Sequence, residues 1–396
     1  MGRSRALALA TAILAAAALS LQAQDSGANV GIVIPSARAA ALGGTHAALA
    51  DDITALFANP AGFRSAGPEL AISEVTIGLA GPVFSIADLI VQAVSYGTPP
   101  LELIQRREVQ KLLNGMHTAA TLNGPLSFGY VGDGLGFGIF NSTGLQLETL
   151  GALPMVTAAL REDLVFAAGY SFGIPLPEVL ASTLDLGFLL KASLRGTIRL
   201  KESIIEMISL FEAPSVDILY GQPFQMDVRI GLDAGILYSF NKLISLGVVG
   251  RNLYAPSIQN SYSTLQSFFD GAAPVMADFL APIDLSVGLL FSPNLGPLEP
   301  YVGGLKIALD YADILDFLTH PSTATNPVLH ASLGAEIVLL DILSLRGGFG
   351  QGYFSAGLGL DLSIFRLSLS MFGSELSSEP GLRPVYNLIL GLEFRY

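Results

Sequence analysis

The sequence of 396 residues contains no cysteine. Disulfide bonds and cysteine metal sites are therefore excluded, and so is a lipid anchor, because a lipoprotein carries a cysteine at its cleavage site. Charged residues are also scarce, at 13% of the chain, and the mean hydropathy is +0.56. A chain of this composition is too apolar for an ordinary soluble protein.

Long apolar runs are missing as well. Beyond residue 23, no uninterrupted run reaches the length of about 18 apolar residues that a membrane helix needs. High hydropathy without such a run is typical of a transmembrane β-barrel, in which lipid-facing residues occupy every second position. A very apolar soluble β-sandwich or solenoid is the alternative that the composition leaves open.

The N-terminus has the pattern of a secretory signal. Arg3 and Arg5 supply a positive start, and Leu7–Leu19 is an apolar run too short to span a bilayer as a stable helix. Because Leu21-Gln22-Ala23 ends on a small residue, we predict a signal peptide over 1–23 that is cleaved after Ala23. A retained anchor is the alternative, but no stop-transfer pattern follows.

Positive charge is in the minority. The formal net charge is −13, and removal of Arg3 and Arg5 with the signal makes the mature chain still more acidic. This balance argues against nucleic acid or anionic phosphate ligands as the main partners.

The residues from Thr118 onward alternate between polar and apolar, as in a strand with one wet face and one lipid face. Charged and polar residues hold odd positions in 184–201 and again in 227–240. A slip of one residue would move charges into lipid, at about 2–4 kcal/mol for a midplane Arg or Lys, so the register is well specified. We predict an all-β transmembrane antiparallel barrel of about fourteen strands over 69–396, since such barrels favour even numbers.

The last ten residues, Asn387 to Tyr396, alternate almost without a break and end on an aromatic side chain. The last strand of bacterial outer-membrane barrels usually ends in this way. We therefore expect the outer membrane of a diderm bacterium as the location and its lipid as the surroundings. The barrel assembly machinery is an expected partner through this C-terminal strand.

Three stretches break the two-residue period, near 84–116, 202–219 and 262–280, and carry apolar residues at helical spacing. Exposed apolar helices in loops are unusual, so we interpret them as a surface at the barrel mouth that captures a hydrophobic ligand. The candidate capture residues are Ile204, Ile208, Phe211, Phe268, Phe269 and Phe279. The alternative is that the inserts pack on each other or cap the barrel.

Residues 24–68 do not have the pattern of barrel strands. They are rich in Ala and Gly, with one predicted short helix at roughly 46–57 and a turn at Asn59-Pro60-Ala61-Gly62. Asn, Pro and Gly each favour this turn for a separate reason, namely side-chain capping, a fixed φ and a free φ.

The string SARAAALGGTHAALADDITALFANPAG, from Ser36 to Gly62, resembles the N-terminal signature of FadL-type outer-membrane transporters and the related PorV-like barrels. The matching positions are Gly43, Gly44, Ala50, Asp51, Asp52, Ala55, Leu56, Asn59, Pro60, Ala61 and Gly62. The resemblance implies a fourteen-stranded barrel whose N-terminal segment, here 24–68, folds inward as a hatch. For FadL-like members it implies passage of long-chain fatty acids or other hydrophobic molecules. For PorV-like members it implies protein secretion and surface attachment.

The apolar inserts favour the transporter interpretation. We predict passive uptake of a hydrophobic small molecule, a long-chain fatty acid first of all, gated by the hatch. No ATP site or other energy-coupling motif is present in the sequence, and no cofactor is expected. A structural or secretion-partner barrel of the PorV-like kind, which binds other proteins, is the alternative.

Charged residues at lumen parity are candidate ligand contacts. They are Arg195, Arg199, Arg229, Glu336 and Arg346. Arginine matches a carboxylate head group in a bidentate fork. The alternative is that charges of mixed sign neutralise each other, for example Asp185 with Arg199, or Asp227 and Asp233 with Arg229. Likewise, Asp51 and Asp52 of the hatch either pair with arginines of the lumen or face solvent.

Catalysis and metal binding are poorly supported. His330, Ser332 and Glu336 share a parity, but residues i and i+2 of a strand lie about 6–7 Å apart, whereas catalysis needs hydrogen-bond reach. No G-x-S-x-G motif surrounds Ser332. The four histidines, at 46, 117, 320 and 330, show no ligand spacing, and the glycines form no phosphate loop. We therefore expect neither an enzyme nor a metal site.

Overall fold

The computed structural model describes residues 36–96, 102, 105–107, 109–110, 115–149, 155–203, 206–207, 217–319, 321–322, 324–362 and 364–395. The expected signal peptide with its cleavage point, residues 24–35 of the N-terminal segment, and Tyr396 lie outside these ranges.

The strands form one antiparallel sheet that closes on itself, because the first strand pairs with the last one. The strands are β1 (Glu69–Ala80), β2 (His117–Asn123), β3 (Phe128–Gly132), β4 (Leu135–Thr149), β5 (Met155–Ile174), β6 (Ser182–Ser203), β7 (Phe224–Phe240), β8 (Ile244–Tyr254), β9 (Pro256–Tyr262), β10 (Val275–Leu280), β11 (Asp284–Phe291), β12 (Val302–Tyr311), β13 (Ala331–Leu339), β14 (Leu343–Gly350), β15 (Tyr353–Asp361), β16 (Phe365–Glu375) and β17 (Pro384–Arg395).

These seventeen segments occupy fourteen positions around the wall. The segments β2 and β3 both lie between β1 and β4, so together they form one interrupted strand. In the same way β8 and β9 both pair with β7 and form a second interrupted strand. On the other side, β8 pairs with β11 and β9 pairs with β10, so β10 and β11 form a third. Pro125 and Pro282 lie in two of the breaks, where a missing backbone donor is tolerated. The predicted fourteen-stranded barrel is confirmed.

The helices are short and lie outside the wall ladder. They are α1 (Ala37–Ala41), α2 (Val83–Tyr96), α3 (Asp217–Tyr220), α4 (Leu265–Phe269), α5 (Asp316–Thr319) and α6 (Pro327–His330), with 3₁₀ turns at Ile53–Leu56, Pro60–Arg64, Glu178–Leu180 and Gly296–Leu298. Among the described ranges, no helix has the length and apolarity to cross a bilayer.

The two ends of the barrel differ. At one end, here called the turn end, β3 joins β4 and β7 joins β8 by short turns. At the opposite end, the loop end, the long connections that contain α2 and α4 leave the wall. The strands on one side, such as β6 with 22 residues, extend much further toward the loop end than β14 with 8 residues.

The described parts of all three predicted inserts lie at the loop end, but the third insert is only partly helical. Helix α4 covers Leu265–Phe269, and Val275–Leu280 forms β10, which pairs with β9. Gly271 and Pro274 separate the two elements, and proline cannot continue a helix. Most of the second insert, and the region around Pro99-Pro100 in the first, lie outside the described residues.

The helix predicted at roughly 46–57 is wrong in position and type. The N-terminal segment instead contains α1 and two 3₁₀ turns, Ile53–Leu56 and Pro60–Arg64. Ser36 caps α1, and Asp52 and Asn59 cap the two turns through their side chains. These caps satisfy terminal N–H groups that would otherwise remain unpaired, so three short elements replace one longer helix.

Along β6, exposed and buried side chains alternate, and the two faces are those that the sequence predicts. Phe188 and Leu190 point outward and are 48% and 56% exposed, whereas Leu189 between them is 1% exposed. Asp185 and Arg195 share the inward parity of Leu189 and are buried. The barrel thus has an apolar outer surface and a polar inner one, as a lipid-embedded barrel requires.

Near the loop end, apolar side chains of outward parity are buried by the inserts. Leu147, Val156, Ile198 and Leu200 of β4, β5 and β6 form one cluster there. The residues that pack on it include Ile86 of α2, Met207, Ile218 and Leu219 of the second insert, and Leu265 of α4. The described parts of the inserts therefore cover the outside of the extended strands. The second and third inserts also pack on each other, since the rings of Tyr220 and Phe269 lie 5.9 Å apart.

Leu369 tests the assignment of the lipid face. It lies in the middle of β16 with an outward side chain, and its ladder neighbours Leu358 and Leu390 are also exposed. We expect Leu369→Arg to destabilise the barrel by about 2–4 kcal/mol, measured by urea unfolding in lipid vesicles. Leu369→Phe, which keeps an apolar side chain, is the control and should change little. Equal stabilities would contradict the assignment.

Candidate functional site: the plugged lumen

The described part of the N-terminal segment, 36–68, lies within the lumen. Helix α1 packs along β14 to β17, and the Pro60–Arg64 turn packs against β3 to β7 on the opposite side. Leu56 and Phe63 are fully buried in an apolar cluster with Val131, Phe140 and Leu189 of the wall. The segment thus contacts the wall on both sides and crosses the lumen.

Glycines on the inner wall make room for the segment. A Cβ atom added at Gly187 would overlap the backbone of Pro60 and Ala61, and one added at Gly235 would overlap the amide of Asn59. These glycines lie on β6 and β7, facing inward. Only a residue without a side chain allows such a close approach of two backbones. We call this surface, completed by Gly247 on β8, the glycine socket.

Gly43 and Gly44 of the signature form a turn that contacts the opposite wall. Both have positive φ, +70° and +91°, which L residues with side chains rarely adopt. This turn brings the backbone of Gly43 against the inner wall at Gly348 and Gly350 of β14, where an added Cβ would meet it.

Asn59 is fully buried and joins the segment to the wall. Its side-chain N–H groups donate to the carbonyl of Ala47 at 2.7 Å and to the carbonyl of Ile236 on β7 at 3.3 Å. Its carbonyl oxygen accepts from the N–H of Ala61 at 3.0 Å. One amide therefore satisfies two loop groups and a wall carbonyl.

Asp310 of β12 holds the next part of the segment. Its Oδ2 accepts from the backbone N–H groups of His46 and Ala47 at 2.6 and 2.7 Å. Nε2 of His46 lies 2.6 Å from a guanidinium nitrogen of Arg251, which is paired with Asp284 at 2.8 Å. A wall carboxylate thus satisfies two adjacent backbone donors of the segment.

Arg38 of α1 is the centre of an ion cluster. Its guanidinium binds Asp51 and Asp52 of the segment at 2.6 and 2.7 Å, and Glu336 of β13 at 2.6 Å. Glu336 also accepts from Arg346 at 2.7 Å, and Asp51 also binds Lys306 at 2.5 Å. These six residues are named the Arg38 cluster. The two aspartates therefore pair with an arginine of their own segment and a wall lysine, and Arg346 reaches them only through Glu336.

Three of the cavities that the described residues form adjoin the segment. The loop-side cavity, of about 540 Å³, is lined by Leu42, Leu49 and Phe57 of the segment and by Arg229 and Arg251 of the wall, among others. A first turn-side cavity of about 440 Å³ lies against β12 to β17, and a second of about 700 Å³ lies against β5 to β8.

The predicted lumen charges lie in different places. Arg195 pairs with Asp163 at 2.6 Å, and Arg229 lines the loop-side cavity while it donates to Ser257 at 2.9 Å. Glu336 and Arg346 belong to the Arg38 cluster, whereas Arg199 is exposed near the loop end.

The ion pair that the sequence suggested for Asp185 is wrong. Asp185 lies 3.6 Å from Arg64 of the segment instead. Arg199 is out of its reach, because Arg199 is fourteen positions further along the same strand at roughly 3.3 Å per residue. Asp233 instead pairs with Lys191 at 2.5 Å.

The candidate capture residues lie away from the three cavities wherever they are described. Phe268 packs on Phe224 and Tyr262, with ring centroids 4.9 and 5.2 Å apart. Phe269 is 63% exposed, and Phe279 lies on β10 opposite Ser257. The other three, Ile204, Ile208 and Phe211, lie outside the described residues.

Two of the three residues considered for catalysis, His330 and Glu336, have other partners. His330 ends α6 and lies 3.2 Å from Asp316. Glu336 is enclosed by Arg38 and Arg346. In the described ranges, no group of three or more His, Asp or Glu side chains is placed to hold a metal ion.

Sequence reasoning missed Arg38, Lys306 and Asp310. Arg38 carried a usable signal, since it is one of only two basic residues in 24–68 and stands in a run of alanines. Lys306 and Asp310 are ordinary polar members of an alternating strand, so nothing local distinguishes them.

No protein-family model matches the chain, and no curated protein matches it. Among solved structures, the toluene transporter TodX of Pseudomonas putida is 14% identical, with 91% of this chain and 98% of that chain covered and a TM-score of 0.46. The monoaromatic hydrocarbon channel CymD is 11% identical, with 90% and 96% covered and a TM-score of 0.46. A FadL homologue of Pseudomonas aeruginosa is 11% identical, with 93% and 99% covered and a TM-score of 0.43. The structures similar to this chain thus include a member of the family that its N-terminal signature resembles.

Gly235→Ala tests the glycine socket. The added methyl group would overlap Asn59, and we expect such overpacking to destabilise docking of the segment by about 1–3 kcal/mol. Hydrogen exchange of residues 47–63, measured by mass spectrometry in detergent micelles, should become faster while the wall strands stay protected. Gly304→Ala on β12 is the control, because its added Cβ meets no atom within 4 Å. Unchanged exchange in Gly235→Ala would refute the socket.

Proposed function

We propose that the protein is an outer-membrane channel for passive passage of hydrophobic small molecules, with a long-chain fatty acid as the first candidate. The observation that carries this proposal is the loop-side cavity of about 540 Å³, which the N-terminal segment separates from the turn-side cavities. Its volume lies within the range of roughly 300–1,000 Å³ that is usual for small-molecule sites.

The lining of this cavity favours an amphiphile with an acidic head. Leu42, Leu49 and Phe57 of the segment offer apolar contact to a tail, and Arg229 and Arg251 of the wall offer guanidinium groups. Arginine binds carboxylates through two parallel N–H donors. Both guanidinium groups already contact the wall, through Ser257 and Asp284, so a carboxylate would join or replace these partners.

The surroundings of the lumen agree with an outer-membrane location and with passage along a gradient. The outer face of the barrel is apolar, and the N-terminus of the sequence has the pattern of an export signal. The sequence carries no motif for ATP or another source of energy.

In this proposal the N-terminal segment is a hatch. It stands between the cavities, and the Asn59-Pro60 turn is its most enclosed contact with the wall. A ligand can reach the turn end only if some part of the segment moves.

The ligand class is tested by purifying the mature chain in mild detergent and analysing the extracted lipids by mass spectrometry, with an unrelated barrel as control. Stoichiometric enrichment of a fatty acid would support the proposal and identify the ligand. An empty barrel that co-purifies with another protein would favour the structural, secretion-partner alternative.

Replacing Asn59 and Pro60 by Ala-Ala tests the hatch. We expect uptake of a fluorescent fatty acid into vesicles to fall while the barrel stays folded. Loss of the buried amide weakens docking of the turn by about 1–3 kcal/mol, and an undocked turn lies in the path of the ligand. The matched control is replacement of Pro293 and Asn294, the same residue types at the turn end, which should leave uptake unchanged. Equal uptake by both variants would refute a gating role of this turn.

A further inference from the structure

We infer that the Arg38 side chain closes the passage, and that the passage opens by displacement of α1 while the rest of the segment stays in place. This inference rests on the proposed function, since it states where that channel is blocked. It assigns the barrier to one side chain and the motion to five residues, rather than to the hatch as a whole.

Arg38 stands between two cavities. It lines the loop-side cavity and also the first turn-side cavity. On the turn side its neighbours are Glu336, Asp51 and Asp52. The side chain and its carboxylate partners therefore occupy the space through which the two cavities would be joined.

The two parts of the segment are attached to the wall differently. Residues 47–63 lie in the glycine socket, with Asn59 bonded to the wall and Phe63 fully buried. Helix α1 consists of four alanines and Arg38, so it buries little apolar area against the wall. Because apolar stabilisation scales with buried area, displacing α1 costs less than extracting residues 47–63.

The attachment of α1 is mainly polar and can be exchanged. Apart from the bond that Ser355 donates to the carbonyl of Ala41, the strong contact with the wall is the ion pair between Arg38 and Glu336 at 2.6 Å. A carboxylate ligand that enters the loop-side cavity offers the guanidinium the same chemistry as Glu336. Displacement of α1 also separates Arg38 from Asp51 and Asp52, of which Asp51 keeps Lys306 as a partner. A carboxylate ligand compensates the charge of the displaced Arg38, whereas a neutral ligand cannot.

A reversible disulfide tests the motion of α1. A Cβ atom at position 391 on β17 would lie 3.9 Å from the Cβ of Ala37, which suits a disulfide, and the chain has no other cysteine. We expect the oxidised Ala37→Cys, Gly391→Cys variant in vesicles to lose fatty-acid passage and to regain it after reduction. The Gly391→Cys single variant is the control, because the new side chain also approaches the hydroxyl of Thr76 at 3.1 Å.

The outcomes separate the inference from the proposed function. If the oxidised variant passes the probe as fast as the wild type, the inference is overturned although the channel function stands. If the wild type itself passes no more probe than an unrelated barrel, the proposed function fails. In that case the ion conductance of an Arg38→Ala variant still decides whether Arg38 forms the barrier.

Arg38→Ala tests the barrier without any hydrophobic ligand. We expect its ion conductance in planar bilayers to rise above that of the wild type, because removal of the side chain joins the two cavities. Arg195→Ala is the matched control, since Arg195 is a buried lumen arginine that pairs with Asp163 and lines neither cavity. Conductance of Arg38→Ala no higher than that of Arg195→Ala would overturn the inference.

Discussion

The structure depends on one constraint: backbone groups inside the lumen need partners, and the wall ladder has already used its own. The N-terminal segment meets this constraint in three ways. Its caps at Ser36, Asp52 and Asn59 satisfy terminal donors. Asp310 takes two further N–H groups. Where no side chain intervenes, glycines let the two backbones touch. The segment is therefore built of short capped turns, and its position is fixed by polar contacts as much as by apolar burial.

The barrel itself was predictable, because the alternation of polar and apolar residues is a local property of each strand. The long connections were less so. The sequence of Val275–Leu280 predicts part of an apolar helix, yet this segment is a strand that pairs with β9. The reason is that Gly271 and Pro274 separate it from α4. The helix expected at 46–57 is replaced by two short turns, which Asp52 and Asn59 cap, and the wall carboxylate that holds Ala47, on Asp310, is 263 residues away in the sequence. The pairing of Arg38 with Glu336 spans 298 residues, and no pattern within either segment marks it.

The apolar inserts have a different place from the one that their composition suggested. An apolar loop can bind a ligand at the barrel mouth, or it can cover the part of a strand that extends beyond the membrane. Ile198 and Leu200 have the parity of lipid-facing residues but lie where β6 extends beyond the shorter strands. Packing by Met207 and Leu265 shields them from water. The described part of the inserts thus shields the apolar outer side chains of the extended strands from water.

The closure of the wall bears on how the chain is assembled. Ala71 of β1 pairs with Arg395 of β17, so the closing ladder joins residues from nearly opposite ends of the sequence. The entropy lost on closing a loop grows with its length, and ladders of such large sequence separation form slowly. Glycines of the socket lie on strands β6 to β8, whereas α1 packs on β14 to β17. The segment thus contacts both the middle strands and the last ones, so it is enclosed by the same ladder that closes the wall.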